Sequence, residues 1–247
     1  MSQLDCHSPK PPMQFDGFDV RVSEQESRAD IILDRPPFNL LSMAIAEQLR
    51  AVFEALDDDP TVRVVVLRGR GEHFSCGCDL AESNDGTRKG LARRAWSMNS
   101  PSRCGKPVIA ANRGYCFGVG FELSLACDFR IATETTLYAL PVQSMGQGFG
   151  SGGAGRLQKM VGSARTRDVV MRSRYVRGAE AFDWGIATDF VVDSELETLT
   201  DTLVRELLVA SPVEQRAAKT ILNSVESTSS QRSLSPVSPV SPVFSSA

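Results

Sequence analysis

Residues Lys106–Glu122 read Lys-Pro-Val-Ile-Ala-Ala-Asn-Arg-Gly-Tyr-Cys-Phe-Gly-Val-Gly-Phe-Glu, and no other stretch constrains the fold as tightly. An apolar run reads as a buried strand over 106–112 and then breaks into a glycine-rich turn. One carboxylate, Glu122, opens the helix that follows, among Phe121, Leu123, Leu125 and Ala126. The first N–H groups of a helix have no internal partner, so such a turn directs amide donors at whatever binds there. Fixed donors beside a carboxylate in an apolar wall suit enolate chemistry: the donors hold an oxyanion while the carboxylate moves a proton. Taken alone, Glu122 equally suits a helix-start acid favoured by the helix dipole.

Around this stretch, strands and helices alternate. Phe18–Glu24 and Asp30–Asp34 suggest a two-stranded hairpin, and Pro36-Pro37 stops the second strand. Asn39 or Ser42 is positioned to cap a helix from Met43 to Leu56, with Ile45, Leu49, Val52, Phe53 and Leu56 on one face. The β-branched run Val62–Leu67 predicts a buried parallel strand. An Arg-rich helix is expected over 88–99 and a strand over 128–132. Helices are expected near 156–161, 163–172, 178–184, 194–209 and 212–224, with a strand over 188–192. This order argues for a layered α/β domain. The expected organisation is a loose arm over 1–17, a core over 18–192 and C-terminal helices over 193–225. A Ser/Pro-rich tail over 226–247, with Ser-Pro-Val three times between Ser235 and Val243, is expected to be disordered.

Composition narrows the function classes. With 247 residues, 42% hydrophobic and 23% charged, the chain reads as an ordinary globular protein. A net charge of −3 offers no attraction for nucleic acid or an anionic membrane. No apolar run approaches the ~20 residues that span a bilayer, and Met1–Pro12 has neither a signal core nor an Arg-rich amphipathic pattern. A cytoplasmic protein is the resulting expectation. The six cysteines fit no zinc spacing, so no metal is expected, and the thiols read as reduced fillers of small-residue positions. Two histidines leave few candidates for the base of a Ser-His-Asp or Cys-His triad.

Two further turns carry signal. Gly150-Ser-Gly152-Gly153-Ala-Gly155 matches the dinucleotide fingerprint, but no strand leads into it and no acid follows over 170–177. It reads instead as a tight loop-to-helix entry whose N–H groups could line a pocket. Phe74-Ser-Cys-Gly-Cys-Asp-Leu80 would set a second backbone turn beside the first, or form a plain surface loop. The arginines of 88–94 read as a solvated face that could also meet a phosphate.

Taken in order, seven runs resemble the crotonase (enoyl-CoA hydratase/isomerase) superfamily from about Phe18 to Asn223. They are Ile32–Pro36, Val64–Arg68, Phe74–Leu80, Lys106–Glu122, Ala126–Ala132, Gly150–Leu157 and Ala179–Gly185. The resemblance implies an α/β fold, a crotonase-like ββα spiral with helices packed around it and a shortened C-terminal helical region. It implies an acyl-CoA thioester as substrate, with coenzyme A part of that substrate and no separate cofactor. It also implies assembly into homotrimers or hexamers, weakened here by the altered C-terminus. By position, the thioester oxygen would lie between the backbone N–H groups of Cys78 and Val119. Cys76, Gly77, Cys78, Asp79, Leu80 and Ala81 would run along the CoA moiety, with Val119, Pro141 and Val142 at the acyl end. Glu122 matches the first catalytic glutamate of the hydratases. Val142 stands where the second would fall, and the nearby Gln143 orients a water without taking a proton. A single carboxylate suits proton shuttling better than hydration. A form that binds CoA esters with little turnover is the competing expectation.

Overall fold

The structure, a computed structural model, describes residues 13–79, 88–141 and 152–231. Its first three strands, β1 (Met13–Phe15), β2 (Phe18–Ser23) and β3 (Arg28–Leu33), form an antiparallel meander. The end of the expected loose arm is therefore a strand, because Met13 and Phe15 register with Val20 and Phe18. Helix α1 (Met43–Asp58) follows, and Ser42 is its cap, its hydroxyl accepting from the Ile45 N–H at 3.1 Å. That interaction is worth about 1 kcal/mol. Asn39, the other cap candidate, sits at φ +50° and does different work, described below.

Strand β4 (Val64–Gly69) pairs parallel with β3 and with β5 (Val108–Ala111). Strands β7 (Phe129–Thr133) and β10 (Asp189–Val191) continue the parallel run, giving a sheet ordered β1-β2-β3-β4-β5-β7-β10. The central strands are apolar on both faces because both are covered. Val65, Leu67, Val108 and Ala110 join the main core with α1. Val64, Val66, Ile109 and Ile131 pack against Leu196 and Val204 of a C-terminal helix.

Three strands escape the sequence pattern: β6 (Tyr115–Phe117), β8 (Leu137–Ala139) and β9 (Val176–Arg177), which form a second sheet. Between β6 and β7 lies α4 (Val119–Leu125), preceded in the chain by α2 (Arg88–Met98) and the short α3 (Ser100–Arg103). The expected solvated face of the Arg-rich helix holds only in part, since Arg94 is buried. Helix α5 (Gly153–Met171) unites the two helices expected there, bent at Gly162 where φ is +79°. After α6 (Gly178–Asp183) come α7 (Leu196–Val209) and α8 (Pro212–Gln231). Helix α8 runs past Asn223, so the first residues of the expected disordered tail, 226–231, are helical. No helix among the described residues is long and apolar enough to cross a membrane.

Candidate active site

Two glycine-bearing turns meet at the head of α4. The first, Ser75–Asp79, is bridged to Leu41: the Leu41 N–H donates to Gly77 O (2.8 Å) and the Asp79 N–H to Leu41 O (3.2 Å). Bonds on both sides of Cys78 toward Leu41 turn the Cys78 N–H to the opposite side of the strand, as alternation requires. The second turn, Phe117–Gly120, comes from β6, and the Phe117 N–H donates to Ser75 O at 2.9 Å. Gly77 at φ +105° and Gly118 at φ +52° adopt backbone conformations that side chains disfavour. They also let the turns close on each other. A Cβ at Gly77 would stand 3.0 Å from Phe117 O and 3.7 Å from Val119 N. Val119 is the first residue of α4, so its N–H has no partner within that helix.

Glu122 lies one turn further on, buried with 8% of its surface exposed. Its backbone N–H donates to Gly118 O at 2.9 Å, which ties the carboxylate to the same turn. The head of α5 closes over it. A Cβ at Gly153 would fall 2.4 Å from Glu122 Cγ and 2.9 Å from Oε1, so this one glycine makes room for the carboxylate. The dinucleotide-like pattern is thus a helix entry packed against an acid, as its sequence context indicates; Gly150 and Ser151 lie outside the described residues.

Pro141 reaches the same place through the second sheet. Strands β6 and β8 pair in parallel with Phe117 beside Ala139, and the Gly118 N–H donates to Ala139 O at 2.9 Å. Two residues on from Ala139, Pro141 is partly exposed. Asp79 is buried and paired with Arg35 at 2.6 Å, so its carboxylate helps anchor the turn. Cys76 is half-buried, its N–H donating to Phe38 O at 2.9 Å, and burial pushes its thiol up to about 11. Leu80, Ala81, Val142 and Gln143 lie outside the described residues.

Buried polar residues that the sequence reading did not pick out hold this arrangement. Asn112 directly follows β5, and its Oδ1 accepts from Ser124 Oγ of α4 and Tyr138 Oη of β8, both at 2.9 Å. One amide thereby joins the two sheets to the site helix. Arg130, also buried, donates to Cys127 O (2.6 Å) and Ser124 O (3.3 Å), where a cation complements the helix C-terminus. The visible signal for Asn112 was a polar residue closing an apolar run; Arg130 had none. Cys104, Cys116 and Cys127 are buried, as expected of small fillers. A separate cavity of about 440 Å³ opens between α4, α5, α7 and α8, lined by Leu125, Met160, Leu207 and Leu222. Among the described residues, none of those expected at the site lines it. Its cations are engaged with the protein, Lys219 with Asp128 and Arg156 with Ser102, so it is a seam between helices.

The fold and these two turns define a class. The sequence profile of the enoyl-CoA hydratase/isomerase family matches residues 23–236, and the chain belongs to that family. A carnitinyl-CoA dehydratase from Proteus mirabilis is 33% identical over 214 residues, covering 85% of this chain and 82% of the relative. Among solved structures, an enoyl-CoA hydratase from Bacillus anthracis superposes with a TM-score of 0.76 at 29% identity, over 84% of this chain and 82% of that one. A Thermobifida fusca structure in complex with CoA gives 0.76 at 25% identity, over 87% and 90%. The crotonase fold is thus established, and the protein is an acyl-CoA-processing enzyme of the enoyl-CoA hydratase/isomerase type. The profile match continues past Asn223, the point where the motif-by-motif resemblance stops.

Proposed function

We propose that the protein binds an acyl-CoA thioester with its carbonyl oxygen between the main-chain amides of Cys78 and Val119, and that Glu122 moves a proton at the α-carbon. The supporting observation is the closeness of the two turns. Gly77 abuts Val119 N, the Cys78 amide is one residue away, and Glu122 follows within the same short helix. Removal of the α-proton leaves negative charge on the thioester oxygen, where two amides stabilise it without reorganising. Return of the proton to another carbon moves the double bond. Only protons change place, so coenzyme A enters as part of the substrate and the chemistry calls for no added cofactor. Cys76 to Ala81 would follow the CoA moiety, and Pro141 and Val142 the acyl end.

Adding or removing water asks for a second group, and Val142 stands where the resemblance would put it; this favours one-base chemistry. The name of the Proteus relative nevertheless puts carnitinyl-CoA on the substrate panel. A binding form with little turnover is the second reading, and Val142 motivates it. The test incubates the protein with carnitinyl-CoA, crotonyl-CoA and a 3-enoyl-CoA and follows absorbance of the conjugated thioester. Turnover of at least one is expected, lowered about 1000-fold by Glu122→Gln, within the range for a general acid–base group. Tight binding without turnover across the panel would favour the second reading. A homotrimer is the proposed assembly, with Val213, Ile221, Leu222 and Val225 of α8 supplying exposed apolar surface; light scattering measures it.

A further inference from the structure

The two turns do not merely touch; one fully buried hydroxyl lies against both. Ser75 Oγ donates to Asn39 O at 2.7 Å and accepts from the Gly77 N–H at 3.2 Å. Its backbone bonds β6, which leads into the second turn, in both directions, Ser75 N–H to Tyr115 O (3.0 Å) and Phe117 N–H to Ser75 O (2.9 Å). Its side chain also packs on the first turn of α4. A Cβ at Gly120 would lie 2.7 Å from Ser75 Cβ and 2.8 Å from Oγ.

The acceptor Asn39 O is itself held in place. Asn39 is buried, and its Nδ2 donates to His73 O (2.8 Å) and Arg70 O (3.1 Å), while its Oδ1 accepts from the Arg35 N–H (3.0 Å). A left-handed asparagine with a saturated side chain thus presents a fixed carbonyl to Ser75.

Gly77 has no side chain to lock its torsions, so the Cys78 amide that follows it depends on bonds at both ends of the glycine: Leu41 N–H holds Gly77 O at 2.8 Å, and Ser75 Oγ holds the Gly77 N–H. A donor aimed at a developing oxyanion must hold its place to within about 0.5 Å and 10–20°. The bond from Gly77 N–H to Ser75 Oγ ties one end of that flexible residue to a rigid carbonyl.

We infer that Ser75 is a positioning residue. Its hydroxyl, anchored by Asn39, fixes the N–H end of Gly77 and, together with the Leu41 bond to Gly77 O, sets the direction of the Cys78 amide relative to the Val119 amide. The inference rests on the amide-pair reading above and deepens it. Butyryl-CoA labelled with carbon-13 at its carbonyl serves as probe, because polarisation of a bound thioester moves that resonance downfield whether or not turnover occurs. The wild-type protein is expected to move it downfield. Ser75→Ala is expected to abolish at least half of that displacement, while the Kd for butyryl-CoA stays within about threefold because remote contacts persist. Turnover should fall about 100-fold, the cost of roughly an ångström of misplacement.

A thermal melt checks the fold, and Ser75→Cys, a weaker hydrogen-bonding group of similar shape, should lie between serine and alanine. If the alanine variant does not fold, the cysteine variant reads the same displacement. A full displacement in wild type that persists unchanged in the variants would overturn the role of Ser75 alone. Affinity and displacement lost in equal measure would overturn it in favour of a structural role. No displacement in the wild type would overturn the amide-pair reading itself.

Discussion

Helices α4 and α8 show two ways of attaching a helix to this fold. All seven residues of α4 are buried, no side chain caps its N-terminus, and it is too short to be stable alone. Its head is placed by close approach, Gly77 against Phe117, Gly120 against Ser75 and Gly153 against Glu122, while buried Asn112 and Arg130 fasten its far end. Helix α8 is longer, and Val213, Ile221, Leu222 and Val225 stay exposed. It is held by polar pins: Lys219 to Asp128 (2.6 Å) and Pro101 O (2.9 Å), Asn223 to Ser102 O (2.7 Å), Arg216 to Asp57 (2.7 Å). Packing confines atoms to tenths of an ångström, whereas a few pins hold a helix in place and leave its outer face open. The proposed chemistry rests on the first kind of element.

The sharpest way to break this contrast is Gly153→Ala. The new Cβ cannot coexist with Glu122 Cγ at 2.4 Å, so the carboxylate or α5 must move. Turnover is expected to fall about 100-fold, the scale of an ångström's misplacement, with about 1–3 kcal/mol lost from stability through overpacking. Steady-state kinetics and a denaturant melt measure both, and wild-type turnover would show that Glu122 does not need its present position.

Lys219→Met probes the other helix. It leaves Asp128, whose Oδ2 also accepts from the Val108 N–H, beside α8 without its cation. The expected loss is about 3 kcal/mol of stability, the low end for breaking a buried pair, with a smaller effect on turnover than Gly153→Ala. The pH dependence has a definite sign. Burial raises the Asp128 pKa, while Lys219 and the Val108 N–H lower it. Without Lys219 it rises further above the unfolded value. Between the unfolded and the raised folded pKa of Asp128 the native state binds more protons than the unfolded chain, so the variant loses stability as pH rises through that interval and recovers some as pH falls. Equal melts for variant and wild type at neutral pH would refute the pinning account.

The smallest expected effect is at the first turn. Because desolvation pushes Cys76 up to about 11, almost none of it is thiolate at pH 8. Iodoacetamide labelling of Cys76, followed by peptide mass spectrometry, should be slow there and accelerate as pH rises toward 11. Rapid labelling at pH 8 would mean that the turn opens.

Much of this architecture was legible in the chain. Val62–Leu67 and Lys106–Asn112 announced buried parallel strands through continuous apolar character, and Ile45 to Leu56 announced α1 through its period. The glycine turn followed by Glu122 marked the candidate site. The second sheet was not legible, because strands of two or three residues are too short to display alternation. Nor were Ser75 and Asn39 as members of one network. Serine and asparagine are common in turns, and nothing local distinguishes one that bonds across 36 positions.

Periodicity, turn chemistry and the succession of motifs thus determined which elements form, their order and the family they belong to, since these depend on neighbours along the chain. Only the tertiary structure decided that Gly77 faces Val119, that Gly153 makes room for Glu122, and that one serine hydroxyl lies against both turns. Those are contacts between residues distant in sequence. They are set by how closely two backbones approach, a quantity that no local pattern encodes.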